Sequence, residues 1–206
     1  IPGILTLTAG TITTGAFKVI LSGTATSSLS GGSSTSFVNG NLQRSIAAGG
    51  GTYAFPVGTG SVYAPASLVF GASTVTGSLL VNSTGSENTN IGTSSITSTK
   101  SVNRFWTLSA ISGLATAPYE ATFSWASGDN DAGFDFNNTL VGRYASSAWT
   151  YPAIGTKTNT SVQVTGLSGF GDFAVGNCTP AVITSQPSAS SQSVCLNAAV
   201  NPLSIP

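Results

Sequence analysis

The densest group of chemically capable side chains is the stretch Gly128-Asp129-Asn130-Asp131-Ala132-Gly133-Phe134-Asp135. Alternate carboxylates around a tight turn can wrap Ca²⁺, a hard cation that takes about six to eight oxygen ligands. Asp129, Asp131 and Asp135 are the expected ligands, and calcium is the one cofactor the chain suggests. The spacing departs from an EF-hand. Gly133 falls at the fifth position instead of the sixth, and Leu140 occupies the twelfth, where a bidentate glutamate belongs. The competing reading is an inter-strand loop whose Asp and Asn side chains build turns from their own backbone. In that loop Phe134 and Phe136 are expected to point inward and Asp135 outward.

A second candidate is aromatic. Trp149 and Tyr151 flank a short strand after Ala145-Ser146-Ser147, which makes them the aromatics expected to face solvent and stack on a glycan ring. For Trp106, Trp125 and Tyr144 the alternation with polar neighbours points to the core instead. Arg104 shares a face with Trp106 and reads as a strand-end or rim arginine, and Arg143 is a candidate to pair with Glu120 across strands.

Other chemistry is excluded or unsupported. The 206 residues contain no His, which removes Ser-His-Asp and Cys-His machinery. There is no phosphate-binding GxxxxGK[ST] loop and no CxxC pair. The only acids are Glu87, Glu120, Asp129, Asp131, Asp135 and Asp172, and nothing in their spacing suggests the facing carboxylates of a glycosidase. No enzyme is expected. A net charge of zero argues against nucleic-acid binding, which needs a basic patch. No apolar run is long enough for a membrane-spanning helix.

The elements that carry these residues read as strands. With 25 Gly and 9 Pro, turn signals recur every few residues, and no window holds apolar residues at helical spacing. The expected fold is all-β, in three parts. Residues 1–57 read as a short β-solenoid-like or meander segment, with Leu5 and Leu7 alternating with threonines. Within it, Phe17, Val19 and Leu21 share one face, and Asn39-Gly40 reads as a hairpin turn. Tyr53, Phe55 and Val57 point one way, and Pro56 marks an edge. Residues 58–176 read as a β-sandwich or jelly roll of about eight strands. The expected strands are 66–70, 74–81, 102–110, 119–126, 140–145, 149–151, 161–165 and 170–175. Tyr119, Ala121, Phe123 and Trp125 form one inward face, and Trp106, Leu108 and Ala110 another. Residues 177–206 read as a linker and the first strand or strands of an incomplete immunoglobulin-like module. Both ends suggest an internal segment of a longer polypeptide.

The ordered phrases FVNGNLQR, YAFPVG, VYAPASLVF, VNRFWTLS, GRYASSAWTY, GLSGFGDFAVG and CTPAVITSQPSASSQSVC carry a resemblance. From about Phe37 to Val200 the chain resembles modules of the large, repetitive cell-surface proteins of Bacteroidota. The resemblance implies export by the type 9 secretion system, an extracellular place on the surface of a Gram-negative cell, and a part in adhesion or gliding motility. The implied partners are neighbouring modules of the same polypeptide, the secretion and outer-membrane machinery, and polysaccharide or solid surfaces. The alternative is a carbohydrate-binding module of a secreted polysaccharide-degrading enzyme. Export also implies an oxidising setting in which Cys178 and Cys195, 17 residues apart, can bridge each other. Cys195 could instead pair with a cysteine further along an immunoglobulin-like module.

Overall fold

The computed structural model describes residues 1–115 and 118–179. Among them the chain is all β, and the strands are joined by turns and single-turn 3₁₀ segments. The first group is β1 (Leu5–Leu7), β2 (Ile12–Leu21), β3 (Leu29–Gly31), β4 (Val38–Ile46), β5 (Gly51–Phe55), β6 (Val57–Thr59) and β7 (Val62–Tyr63). Next come β8 (Ala66–Phe70), β9 (Gly77–Thr84), β10 (Ile96–Ser112) and β11 (Tyr119–Ser124). The last are β12 (Thr139–Ala145), β13 (Ala148–Thr150), β14 (Ala153–Thr158), β15 (Ser161–Leu167) and β16 (Gly171–Cys178).

A nine-stranded sheet runs β13-β12-β16-β10-β9-β4-β6-β7, with β2 alongside β4, and a five-stranded sheet runs β14-β15-β11-β8-β5. Inward faces of both sheets share one core. Phe123 of the smaller sheet lies 5.0 Å, ring centre to ring centre, from both Trp106 and Phe173 of the larger one. Such tilted aromatic contacts add to the burial that drives sandwich packing. The Trp106 indole N–H donates to the Ala64 carbonyl at 2.9 Å, which satisfies the one polar atom that this ring buries.

Strand pairing within residues 1–57 is parallel. β1 pairs with β3, β2 with β4, and the start of β4 with β6. Leu5 opposes Leu29, Ile12 opposes Val38 and Val19 opposes Leu42. Two stacked rungs thus form, each a short strand, a turn and a long strand. The expected boundary at residue 57 is not a structural break. β4 continues into antiparallel pairing with β9, Leu42 against Val81, and β5 pairs with β8, Tyr53 against Leu68. A segment this small cannot bury its own apolar face, so both of its long strands join the sheets that follow. Of the expected linker and immunoglobulin-like start at 177–206, Asn177 and Cys178 belong to β16 of the sandwich, and residues 180–206, which include Cys195, lie outside the described residues.

Several local expectations change. Asn39-Gly40 is not a hairpin turn but lies inside β4. Gly40 has φ +122°, and a Cβ there would run into the Thr14 hydroxyl. That hydroxyl accepts from the Asn41 N–H at 3.0 Å where the β2/β4 register shifts. The irregularity between Thr13 and Lys18 also turns Phe17 outward, to 81% exposure, while Leu21 stays buried as expected. Ala110 lies beyond the packed part of β10 and is exposed, as is Phe136, whereas Phe134 packs against Trp125. β14 was not foreseen, because an exposed edge strand such as AIGTKT carries little apolar alternation.

The largest unforeseen feature is Arg44, fully buried on β4. Its guanidinium donates to the carbonyls of Ala54 at 2.7 Å and Thr26 at 2.8 Å, and to the Ser28 hydroxyl at 3.3 Å. The guanidinium carbon lies 5.1 Å from the Tyr53 ring centre and 5.8 Å from that of Phe55. Burial lowers the pKa to about 10, so the group remains charged at neutral pH. Tyr53 works alongside, with its hydroxyl donating to the Thr24 carbonyl at 2.7 Å and accepting from the Ala47 N–H at 2.9 Å. Together they fasten the turn between the two rungs to β4 and β5. Arg44→Ala is expected to lose about 3 kcal/mol, because buried carbonyls lose their donors and a cavity opens. Arg44→Lys keeps a charge without the planar fork and should fall between the two. Urea unfolding of the three proteins checks the order; equal stability of Arg44→Ala and the parent would overturn it.

Candidate functional site

β11 ends at Ser124 and leads into the acidic loop, which folds back over β10. The Trp125 indole N–H donates to the Asn130 side-chain carbonyl at 2.7 Å, and Asn130 bridges to Val102 of β10. Each carboxylate of the expected calcium set then finds its own protein partner. Asp129 accepts from Arg104 Nε at 2.8 Å and from a terminal guanidinium nitrogen at 3.4 Å. Arg104 is therefore no rim residue. It is 2% exposed, points inward beside Trp106, and a remaining nitrogen lies 3.4 Å from the Ser83 hydroxyl. Asp131 accepts from the Ser101 backbone N–H at 3.0 Å and the Asn103 amide at 2.7 Å. Asp135 caps the 3₁₀ turn Phe136–Asn138 by accepting from the Asn137 N–H at 2.9 Å, and also accepts from the Asn138 amide at 2.8 Å.

The three acids are thus not brought to a common point. Among the described residues there is no group of three His, Cys, Asp or Glu side chains arranged to hold a metal ion. The turn-building reading of the loop accounts for its hydrogen bonds. Glu87 was missed from the sequence. It accepts from the Ser101 hydroxyl, whose oxygen also lies 3.4 Å from Asp131. That hydroxyl has one proton, which goes to Glu87, while Asp131 is served by the backbone N–H of the same residue. Only the pairing of β10 with the loop creates this arrangement, and no local motif announces it.

Trp149 and Tyr151 are both half-buried, and both hold the loop between β9 and β10. The Trp149 ring lies against Gly142, where a Cβ would clash with it, and 5.1 Å from the Tyr144 ring. Its indole N–H is directed at the Asn90 carbonyl, 3.2 Å away, and the Thr93 hydroxyl, 3.1 Å away. The Tyr151 hydroxyl accepts from the Ser95 N–H at 2.6 Å. A stacking platform needs ring faces and polar edges free for the sugar. Here the indole face and both polar tips are already engaged by protein.

Arg143 and Glu120 do not pair, because β12 and β11 belong to different sheets. Arg143 Nε donates to the Thr150 hydroxyl at 3.2 Å, and Glu120 accepts from Gln163 at 2.8 Å. Arg104–Asp129 is the one ion pair among the described residues. Asp172 accepts from Asn88 at 3.0 Å and Thr107 at 2.7 Å, tying β16, β10 and the loop between β9 and β10 together. Tyr119, buried against Phe70 and Phe170, donates to the Gly169 carbonyl at 2.8 Å, and burial pushes its pKa up. Cys178, at the end of β16, is disulfide-bonded. The Cys195 half of the expected bridge lies outside the described residues.

No family model, curated protein or solved structure matches the chain. No helix among the described residues is long and apolar enough to cross a membrane.

Two outcomes follow from this arrangement. Asp129→Ala leaves the Arg104 charge buried without its carboxylate and is expected to lower stability by about 3 kcal/mol, read by urea unfolding. A change within experimental error would mean that the pair is dispensable. With the acids engaged, melting temperatures in millimolar Ca²⁺ and in chelator should coincide; a rise of several degrees with Ca²⁺ would support the calcium expectation instead.

Proposed function

We propose that this chain is a structural and adhesive segment of a large exported cell-surface protein, whose own work is mechanical. It spaces and links neighbouring modules, while attachment or gliding draws on the whole assembly. The observation that supports this reading is the position of β16. The strand ends at Cys178 and runs between β10 and β12, antiparallel to both. A pull on its C-terminal end therefore loads two hydrogen-bonded ladders together, and neither can open without the other. The core packed beneath it, with Phe173 and Val175 fully buried, resists the same displacement. Forced unfolding is governed by the barrier to opening, and such a strand raises that barrier.

The polar side chains fit the same reading. Arg104, Asp129, Asp131, Asp172, Trp149 and Tyr151 all stitch loops to strands. The resemblance to surface modules of Bacteroidota supplies the expected setting. That setting is the outer face of a Gram-negative cell, reached through the type 9 secretion system, with polysaccharide or solid surfaces as the substratum. A carbohydrate-binding module would want Trp149 and Tyr151 free, so their engagement favours the mechanical reading.

Immunogold labelling of intact, unpermeabilised cells that make the protein tests the location. Label on filaments or patches of the outer surface is expected. Label confined to the medium or to degraded polysaccharide would sink the proposal and favour the carbohydrate-binding module.

A further inference from the structure

The two parallel rungs end in an open surface, and their register says what that surface fits. In the second rung the inward aliphatics Leu29, Val38 and Leu42 are 6%, 0% and 0% exposed. Their partners in the first rung, Leu5, Ile12 and Val19, belong to the same core yet stay only partly buried. The chemistry of the two sets is alike. What differs is that the second rung is covered by the first, whereas among the described residues nothing packs over Leu5, Ile12 and Val19; Leu7 and Leu21, the remaining inward aliphatics of the first rung, are already buried by the core, at 6% and 0% exposure. Ile4, just ahead of β1, and Phe17 and Ile20 of β2, at 66%, 81% and 42% exposure, add exposed apolar side chains to the same segment.

The free edges tell the same story. At Val38, β4 has β2 on one side and β6 on the other; at Leu42 it has β2 and β9. Among the described residues β2 thus has a strand along one edge only, its other edge bonded just at its C-terminal end by Ile1, and it forms the margin of the nine-stranded sheet, while β1 has β3 as its single strand partner. Exposed edges of this kind are ready to accept further strands. Both face the direction in which the parallel stack would grow.

We propose that this end receives one more β-rung: a short strand, a turn and a long strand, parallel to β1 and β2. It would carry aliphatic side chains over Leu5, Ile12 and Val19, and short polar residues such as Thr at the alternating outward positions. The domain then acts as the terminal cap of a β-solenoid stack, with β4 as the point where stacked parallel pairing gives way to the antiparallel sandwich. Repeat architectures need such caps, since each unit buries its apolar face only against a neighbour. The inference stands on strand register and does not depend on the adhesive reading.

The rung is expected to be joined covalently ahead of residue 1. The Leu5–Leu29 pairing makes the position before Ile1 equivalent to Thr24, the link between the existing rungs. The Ile1 amino group lies 2.7 Å from the Ile20 carbonyl, and the Ser22 N–H donates to the Ile1 carbonyl at 3.1 Å. A segment joined there enters beside the existing rung-to-rung turn.

The test fuses a second copy of residues 1–24 directly ahead of Ile1 and follows amide hydrogen exchange in the parent and the fusion. Exchange of the β2 amides should slow by about tenfold or more in the fusion, as edge groups gain partners. Amides of β10 serve as the control for an intact fold. A fusion whose prefix carries Asp at the copies of Leu5, Ile12 and Val19 should show no slowing. Unchanged β2 exchange with β10 still protected would overturn the proposal. So would equal slowing by the Asp-bearing prefix, or a parent that is already dimeric by light scattering with β2 protected.

Discussion

Burying Arg44 without a carboxylate is the constraint on which the junction depends. A guanidinium removed from water must find hydrogen-bond acceptors in the directions its planar fork dictates. Here those acceptors are backbone carbonyls of two separate segments, Thr26 in the turn between rungs and Ala54 in β5, with the Tyr53 and Phe55 rings beneath. The side chain therefore fixes the distance between the N-terminal stack and the five-stranded sheet. A pair of apolar residues could fill the volume, but could not specify which carbonyls meet.

Around that junction β4 reconciles two kinds of β-structure. On one edge it carries the parallel β2; on the other it begins parallel to β6 and continues antiparallel to β9. Parallel stacking buries aliphatics in columns such as Val19 over Leu42, whereas the sandwich buries them between two sheets, as Trp106 meets Phe123. Because both patterns share one strand, the columns run into the sandwich core without a gap, and one apolar cluster serves both. The mechanical proposal and the cap proposal concern two parts of the same sheet: β2, beside β4, open to stacking, and β16, further along, locked between two ladders.

Charge is scarce, and every acid has a specific place. With six cationic and six anionic side chains in the chain, all six acids are held by named donors. Ligands for such groups would compete with bonds that already close loops. The polar network therefore reads as joinery, in keeping with a module that holds shape under load.

How much of this was legible follows from range. Strand β8 was foreseen at its observed bounds, and the inward face Tyr119, Ala121, Phe123 and Trp125 was correct, because period-two alternation and flanking turn residues act over a few residues. The short glycine-punctuated strands of the N-terminal segment show locally too, but the choice between solenoid-like rungs and a meander rests on the parallel pairing of β1 with β3 and β2 with β4, which the sequence left open. Other features needed partners distant in sequence. Gly40 looked like a turn until Thr14 claimed the space beside it. Asp129 looked like a ligand until Arg104 reached it across 25 residues. Trp149 looked like a free platform until the loop between β9 and β10 covered its edge. By itself, then, the sequence determined the all-β class, many of the strand positions and most inward faces, through local periodicity. Tertiary structure alone decided which strands pair, which edge stays open and which polar groups meet, because those depend on contacts that only the closed core brings together.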